Sequence, residues 1–380
     1  MPQPLSLDAV LPTPRMIVEH LNRSIVGQDR AKRTLAVAVA NHYVRLFDVL
    51  DRESATPVVV DTGLRNVSIE KSNVLLIGPS GSGKTHLARA LAECVGVPFA
   101  LADATTLTEA GYVGEDVETI LHKLLVAAGG DVAEAQRGIV YLDEIDKLGG
   151  GRVHGAKDLR QGVQHALLKM FEGTVCNVPP SGGYKVVGET SVPFDTSQVL
   201  FICGGAFVGL DEVVARRLGL RAFGFDQAGS TFDDEAENPL RHVLPEDVED
   251  LGLIPELIGR LSVIATLDAL SVDDLVRILR QPRDSLIDQY RKLLMYRHAR
   301  LDFTPGAIRA IAGLAHDHGT GARGLRAIVE RVLEPVLFDP EPWLDYRVTE
   351  ESVRGGEVEE MRLFDDAAPL RRPLARRSRG

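Results

Sequence analysis

Cysteine is scarce in this sequence. Three residues in 380, Cys94, Cys176 and Cys203, stand far apart, and no C-x-x-C pair occurs. An odd, scattered set supports neither a disulfide framework nor a structural zinc site. Each thiol reads as a small apolar residue in a reducing cytosol, so a cytoplasmic protein without zinc is expected. Long apolar runs are missing too. None approaches the roughly 20 residues that span a bilayer, and Met1-Pro2-Gln3-Pro4 lacks the basic and apolar regions of a signal peptide. No membrane association is expected. Nor is there an excess of positive charge. The net charge is −11, which argues against nucleic acid as a partner, because neutralising phosphates takes clustered Lys and Arg. What remains is ordinary globular usage, 44% hydrophobic and 26% charged, enough for a packed core. The length suits roughly two domains.

Residues 1–14 carry four prolines and read as a loose lead-in. Residues 15–50 have helical periodicity, with Ala31, Leu35, Val39 and Val44 among polar neighbours. Four short apolar runs follow, Asn73–Ile77, Val97–Leu101, Gly138–Leu142 and Gln198–Cys203, alternating with helical stretches. Runs of that length suit strands buried on both faces, and their spacing suits helical crossovers. The expected class is α/β, a parallel sheet flanked by helices. From Ser271 the pattern turns helical. Ser271 and Asp274 form a capping-box pair, Pro282 and Pro305 suit first turns, Thr304 is an N-cap candidate, and Arg323–Leu337 reads as a helix. The expected organisation is a flexible segment 1–14, a large α/β domain 15–265, a small mainly helical domain 266–365, and a basic tail 366–380.

Gly78-Pro79-Ser80-Gly81-Ser82-Gly83-Lys84-Thr85 matches G-x-x-x-x-G-K-[ST] in full. An apolar strand runs into it, and a helix over Thr85–Val95 leaves it, with Leu87, Ala88, Leu91, Ala92 and Val95 on one face. Glycines let backbone N–H groups converge on phosphates, and the helix N-terminus adds positive potential. Lys84 supplies charge to the β- and γ-phosphates, and the Thr85 hydroxyl ligates magnesium. Gly138–Glu144 is an apolar strand ending in two carboxylates. At the carboxyl end of a parallel strand both reach the ligand crevice. Asp143 is placed to hold the magnesium of ATP, and Glu144 to activate the attacking water.

Three longer segments carry a resemblance. Thr105–Val117, containing Gly111-Tyr112-Val113-Gly114, together with Phe201–Phe207 and Leu253–Leu261, is similar to the ClpX family of AAA+ protein unfoldases, over about residues 12–365. The resemblance implies an AAA+ P-loop fold and a homohexamer with ATP bound between subunits. It also implies protein substrates drawn through a central pore and delivery to the ClpP peptidase. It gives Ile25 and Val26 a place in the adenine pocket. Arg260 becomes the residue that reaches a neighbour's γ-phosphate, a role that contributes about 10³–10⁵ in rate in other phosphoryl-transfer systems. Arg323 becomes the sensor of nucleotide state in the small domain. Tyr112, hinged by Gly111 and Gly114 beside Val113, becomes the pore-loop aromatic. A large amphipathic ring on such a loop can wedge against backbone or bulk whatever the substrate sequence.

The sequence departs from the family pattern in places. It lacks the N-terminal zinc-binding domain, so adaptors that use it are not expected. The second pore-facing loop, Gly149–Gln161, is a few residues short. The entrance loop reads Tyr184-Lys185-Val186 where the family carries Arg-Lys-His. The peptidase-docking tripeptide is Phe223-Gly224-Phe225, with Phe in place of the usual Ile. His316 and His318 stand at i and i+2, which do not share a helix face, so no metal is expected there. Two other functions remain open on the residues alone, a stand-alone protein remodeller and a nucleic-acid motor of the same superfamily.

Overall fold

The computed structural model describes residues 11–53, 58, 63–108, 115–149, 156–178, 191–219, 238–282 and 284–362. The chain divides into two compact units between Ala269 and Leu270.

The first unit opens with α1 (Pro14–Leu21) and α2 (Asp29–Glu53). The single helical stretch expected over 15–50 is therefore two helices. Gly27 and Gln28 between them adopt positive φ, 64° and 58°, which ends one helix before the next begins. Lys32 is buried and donates to Asn22 Oδ1 (2.8 Å) and to the Ile25 carbonyl (2.7 Å), fastening the break. The strands are β1 (Val74–Ile77), β2 (Phe99–Asp103), β3 (Leu107–Thr108), β4 (Glu115–Asp116), β5 (Ile139–Asp143), β6 (Val175–Val178), β7 (Val192–Asp195), β8 (Leu200–Gly205) and β9 (Val263–Thr266). Between them run α3 (Lys84–Val95), α4 (Thr119–Ala127), α5 (Val132–Gln136), α6 (Ala156–Glu172), α7 (Leu210–Arg217), α8 (Pro245–Glu249) and α9 (Pro255–Gly259).

Five strands form one parallel sheet in the order β2-β5-β8-β1-β9. Side chains alternate between its faces. Leu75, Ile77, Val140, Leu142, Phe201 and Cys203 enter one core. Val74, Leu76, Ile139, Tyr141, Leu200 and Ile202 enter another, formed with α1, α2 and α3. Burial on both faces explains why the strands read as unbroken apolar runs.

At the amino ends of the strands the backbone is tied down by basic side chains. Lys71 Nζ donates to the Thr196 carbonyl (2.8 Å), Arg45 Nη2 to that of Ser197 (2.7 Å), and His42 Nε2 to that of Gln198 (3.0 Å). Asn73, also buried, donates to the carbonyls of Phe171 (3.3 Å) and Arg260 (3.0 Å). Burial, aided by the charges of Arg45 and Lys71, lowers the His42 pKa to about 3. Burial and the Arg45 charge lower that of Lys71 to about 7.

The second unit contains α10 (Val272–Arg280), α11 (Leu286–Met295), α12 (Pro305–Asp317), α13 (Ala322–Phe338) and α14 (Glu350–Val353). Their apolar faces share one core. Ser271 and Asp274 form the expected capping box. Thr304 Oγ caps α12 through the Ala307 N–H (3.2 Å), with Pro305 in the first turn. Pro282 is not in a first turn. It lies in the link before Ser285, which caps α11. A three-stranded sheet, β10 (Arg300–Phe303), β11 (Leu344–Val348) and β12 (Glu359–Arg362), accompanies the helices in the order β10-β11-β12. Beside it Trp343 stacks on His298, with ring centroids 5.4 Å apart, and both residues have positive φ. Among the described residues no helix is long and apolar enough to cross a membrane.

Candidate active site

Residues 78–85 leave the carboxyl end of β1 and turn into α3. Gly83 caps α3 at φ 97°, a left-handed conformation that needs glycine. The loop is anchored to the neighbouring strand by the Gly78 N–H, which donates to the Gly205 carbonyl (3.2 Å). Lys84 lies buried within the loop and donates to the carbonyls of Gly78 (2.6 Å) and Pro79 (3.0 Å). Ser82 Oγ is buried with no hydrogen-bond partner among the described residues. An ammonium, a helix N-terminus and an orphaned hydroxyl in one loop suit a polyphosphate.

Asp143 ends β5 beside this loop. Thr85 Oγ1 donates to its Oδ2 (3.1 Å). The Tyr141 hydroxyl (3.2 Å) and the Glu144 N–H (3.1 Å) donate to its Oδ1. Burial first, then the Asp143 charge, pushes the Tyr141 pKa upward, so its hydroxyl stays a donor. Tyr141 pairs with Ile202 across the sheet, and the end of its ring reaches Gly204, where a Cβ would collide with the tyrosine hydroxyl. Glu144 is exposed and left-handed, φ 58° and ψ 34°. A non-glycine residue held there stores strain of about 1–3 kcal/mol, a cost that collects at functional sites.

Among the described residues no group of three or more His, Cys, Asp or Glu could hold a metal unaided. The Thr85 hydroxyl beside the Asp143 carboxylate nevertheless suits magnesium, which commonly takes one or two protein oxygens and completes its shell with phosphates and water. These two residues would hold it. Its chemistry would be to neutralise charge on the phosphates.

The segment Ile25–Gln28 approaches the same end of the sheet. Ile25 and Val26 are buried. Gln28 Nε2 donates to the Asp268 carbonyl (2.8 Å), and the Asp268 N–H returns a bond to Gln28 Oε1 (2.9 Å). Asp268 follows β9 closely, so this reciprocal pair brings the segment to the carboxyl end of the sheet. Sequence reading missed it because its members are 240 positions apart.

Arg260 is not brought to this site. It caps the end of α9 at the amino end of the sheet, where Nη2 meets Glu172 Oε1 (2.8 Å) and its carbonyl accepts from Asn73. Arg323 lies in the first turn of α13, in the second unit. Gly111, Tyr112, Val113 and Gly114, Tyr184-Lys185-Val186, and Phe223, Gly224 and Phe225 lie outside the described residues, as do residues 150–155 within Gly149–Gln161.

A parallel sheet carrying a phosphate loop, with a carboxylate pair two strands away, defines a P-loop ATPase of the AAA class. Residues 69–264 match the profile of the AAA domain (Cdc48 subfamily), and residues 270–341 that of the C-terminal, D2-small domain, of ClpB protein. The ATP-dependent Clp protease ATP-binding subunits ClpX of Borrelia duttonii and Borrelia recurrentis are each 48% identical to this chain over 332 residues, 87% of it and 75% of the relative. That of Treponema denticola is 46% identical over 341 residues, 89% of this chain and 79% of the relative. The chain belongs to the ClpX family and is an AAA+ ATPase.

Proposed function

We propose that this chain assembles into a homohexamer that hydrolyses ATP to unfold protein substrates, threads them through its pore and delivers them to ClpP. The observation that carries this reading is the separation of Arg260 from its own phosphate loop. The two lie at opposite ends of β1. Four strand residues span about 13 Å, so this arginine can serve ATP only when a second copy presents its own loop. A ring of identical chains satisfies that requirement at every interface.

Within each site Lys84 and the loop N–H groups bind the phosphates. Asp143 and Thr85 hold the metal. Glu144 orients or deprotonates the attacking water, and Arg260 of a neighbouring copy stabilises charge on the transferred phosphoryl group. Arg323 couples the nucleotide to movement of the second unit. Ile25 and Val26 line the base pocket. Tyr112 grips the substrate, and Phe223-Gly224-Phe225 docks in an apolar pocket of the peptidase ring.

The test is ATP-dependent degradation of a folded, tagged fluorescent protein by the full chain with and without ClpP. Loss of fluorescence and of intact protein only when both are present supports the proposal. Unfolding captured by a trap for unfolded protein, with no degradation when ClpP is added, makes the chain a stand-alone remodeller. DNA-stimulated ATPase with no unfolding overturns the reading in favour of a nucleic-acid motor.

A further inference from the structure

The geometry points to Tyr141 as a positioning residue for the metal-binding carboxylate. Its hydroxyl fixes the rotation of the Asp143 side chain so that Oδ2 stays beside the Thr85 hydroxyl. The inference rests on the reading of Asp143 and Thr85 as the magnesium-facing pair.

Tyr141 and Asp143 are two apart on β5 and therefore share a face of the sheet. The tyrosine ring can thus run along the strand to the carboxylate. It is fully buried, and a buried tyrosine hydroxyl needs an acceptor. A backbone carbonyl would serve. Tyr43, equally buried against the same face, donates to the Arg137 carbonyl (3.0 Å). Tyr141 instead donates to the one carboxylate that also receives the phosphate-loop hydroxyl.

The neighbouring strand is shaped to allow this. Gly204 clears the volume that the hydroxyl occupies. The Glu144 N–H, presented by the left-handed backbone, reaches the same Oδ1. Two donors on Oδ1 and the Thr85 hydroxyl on Oδ2 define the plane of the carboxylate from both sides. A carboxylate fixed in this way binds a metal without first losing rotational freedom. Partners that orient metal ligands typically contribute about 10–100-fold to metal affinity.

The test compares the full chain with Tyr141→Phe, which removes only the hydroxyl. Manganese binding is titrated by electron paramagnetic resonance in the presence of a non-hydrolysable ATP analogue, and binding of a fluorescent ATP analogue is measured in EDTA. The expected result is manganese affinity about tenfold weaker, with metal-free nucleotide affinity and melting temperature nearly unchanged. The magnesium needed for half-maximal ATPase should rise by a similar factor, with kcat recovering at saturating magnesium. Unchanged manganese affinity overturns the inference. So does an equal loss of metal-free nucleotide binding, which would make Tyr141 a packing residue of the loop. Asp143→Asn separates the two readings. If it too leaves manganese affinity unchanged, the assignment of the metal site has failed. If it weakens binding while Tyr141→Phe does not, only the positioning role has failed.

Discussion

At the amino ends of the strands, three consecutive carbonyls, those of Thr196, Ser197 and Gln198, each accept a bond from a different basic side chain. At the carboxyl ends, a single carboxylate, Asp143, accepts from three different donors. The same sheet is thus finished in opposite ways. One end uses side chains to satisfy backbone, which fixes the entry to β8. The other end uses backbone and hydroxyl donors to hold a charge that stays available for a ligand. Strain follows the same division. Glu144 is left-handed at the carboxyl end, and so is Phe207 just beyond β8, whereas none of Lys71, Asn73 or Thr196–Gln198 at the amino end has positive φ.

The comparison is sharpened most by Glu144→Gln. Activity should fall by about 10²–10⁴-fold, the range for loss of a general base, while ATP binding and melting temperature hold. Steady-state hydrolysis and nucleotide titration on the same preparation check this. Near-normal turnover would remove Glu144 from its role and blur the contrast between a strained functional end and a satisfied structural one.

Asn73→Ala probes the other end. It leaves the Phe171 and Arg260 carbonyls short of a donor and removes the acceptor for the buried Phe201 N–H. Stability should drop by about 1–3 kcal/mol in denaturant titrations, with ATP affinity little changed. Gly204→Ala should destabilise by a similar amount, about 1–3 kcal/mol, because an added methyl must displace the Tyr141 ring. Unlike Asn73→Ala, it should also disturb the metal dependence. If both variants shift stability and metal affinity alike, the two ends are not independent.

A further contrast is one of pH. His42 titrates at about 3 in the folded protein against an ordinary 6.5. Between those values the unfolded chain binds a proton that the native chain refuses, so His42 lowers stability as pH falls from 6.5 toward 3. His42→Gln should flatten that part of the pH–stability curve, read as melting temperature at pH 4.5 relative to pH 7. An unchanged slope would mean that the amino-end cluster does not titrate as a buried unit.

Much of the ATPase fold was legible because its signals are local. Val74–Ile77 and Ile139–Leu142 are apolar without interruption since both faces of their sheet are covered, and the phosphate loop is defined by spacing alone. The helix ends at Ser271 and Thr304 were legible for the same reason, since a cap and its partner are three residues apart. What escaped depends on distant partners or on backbone angles. Gln28 gives no hint that it pairs with Asp268. Tyr141 looks like one more core aromatic until Gly204 is placed beside it. The left-handed turn at Glu144 carries no glycine to announce it. The sheet of the second unit escaped because Arg300–Phe303 and Leu344–Val348 are brief and separated by two helices.

Trp343 is the only tryptophan in the sequence, and it lies in the second unit with its ring against His298. Intrinsic tryptophan emission is therefore a reporter of that unit alone, whereas far-ultraviolet circular dichroism sees helices from both. Following the two signals through one denaturant titration would resolve, without any label, whether the second unit melts together with the ATPase unit or apart from it.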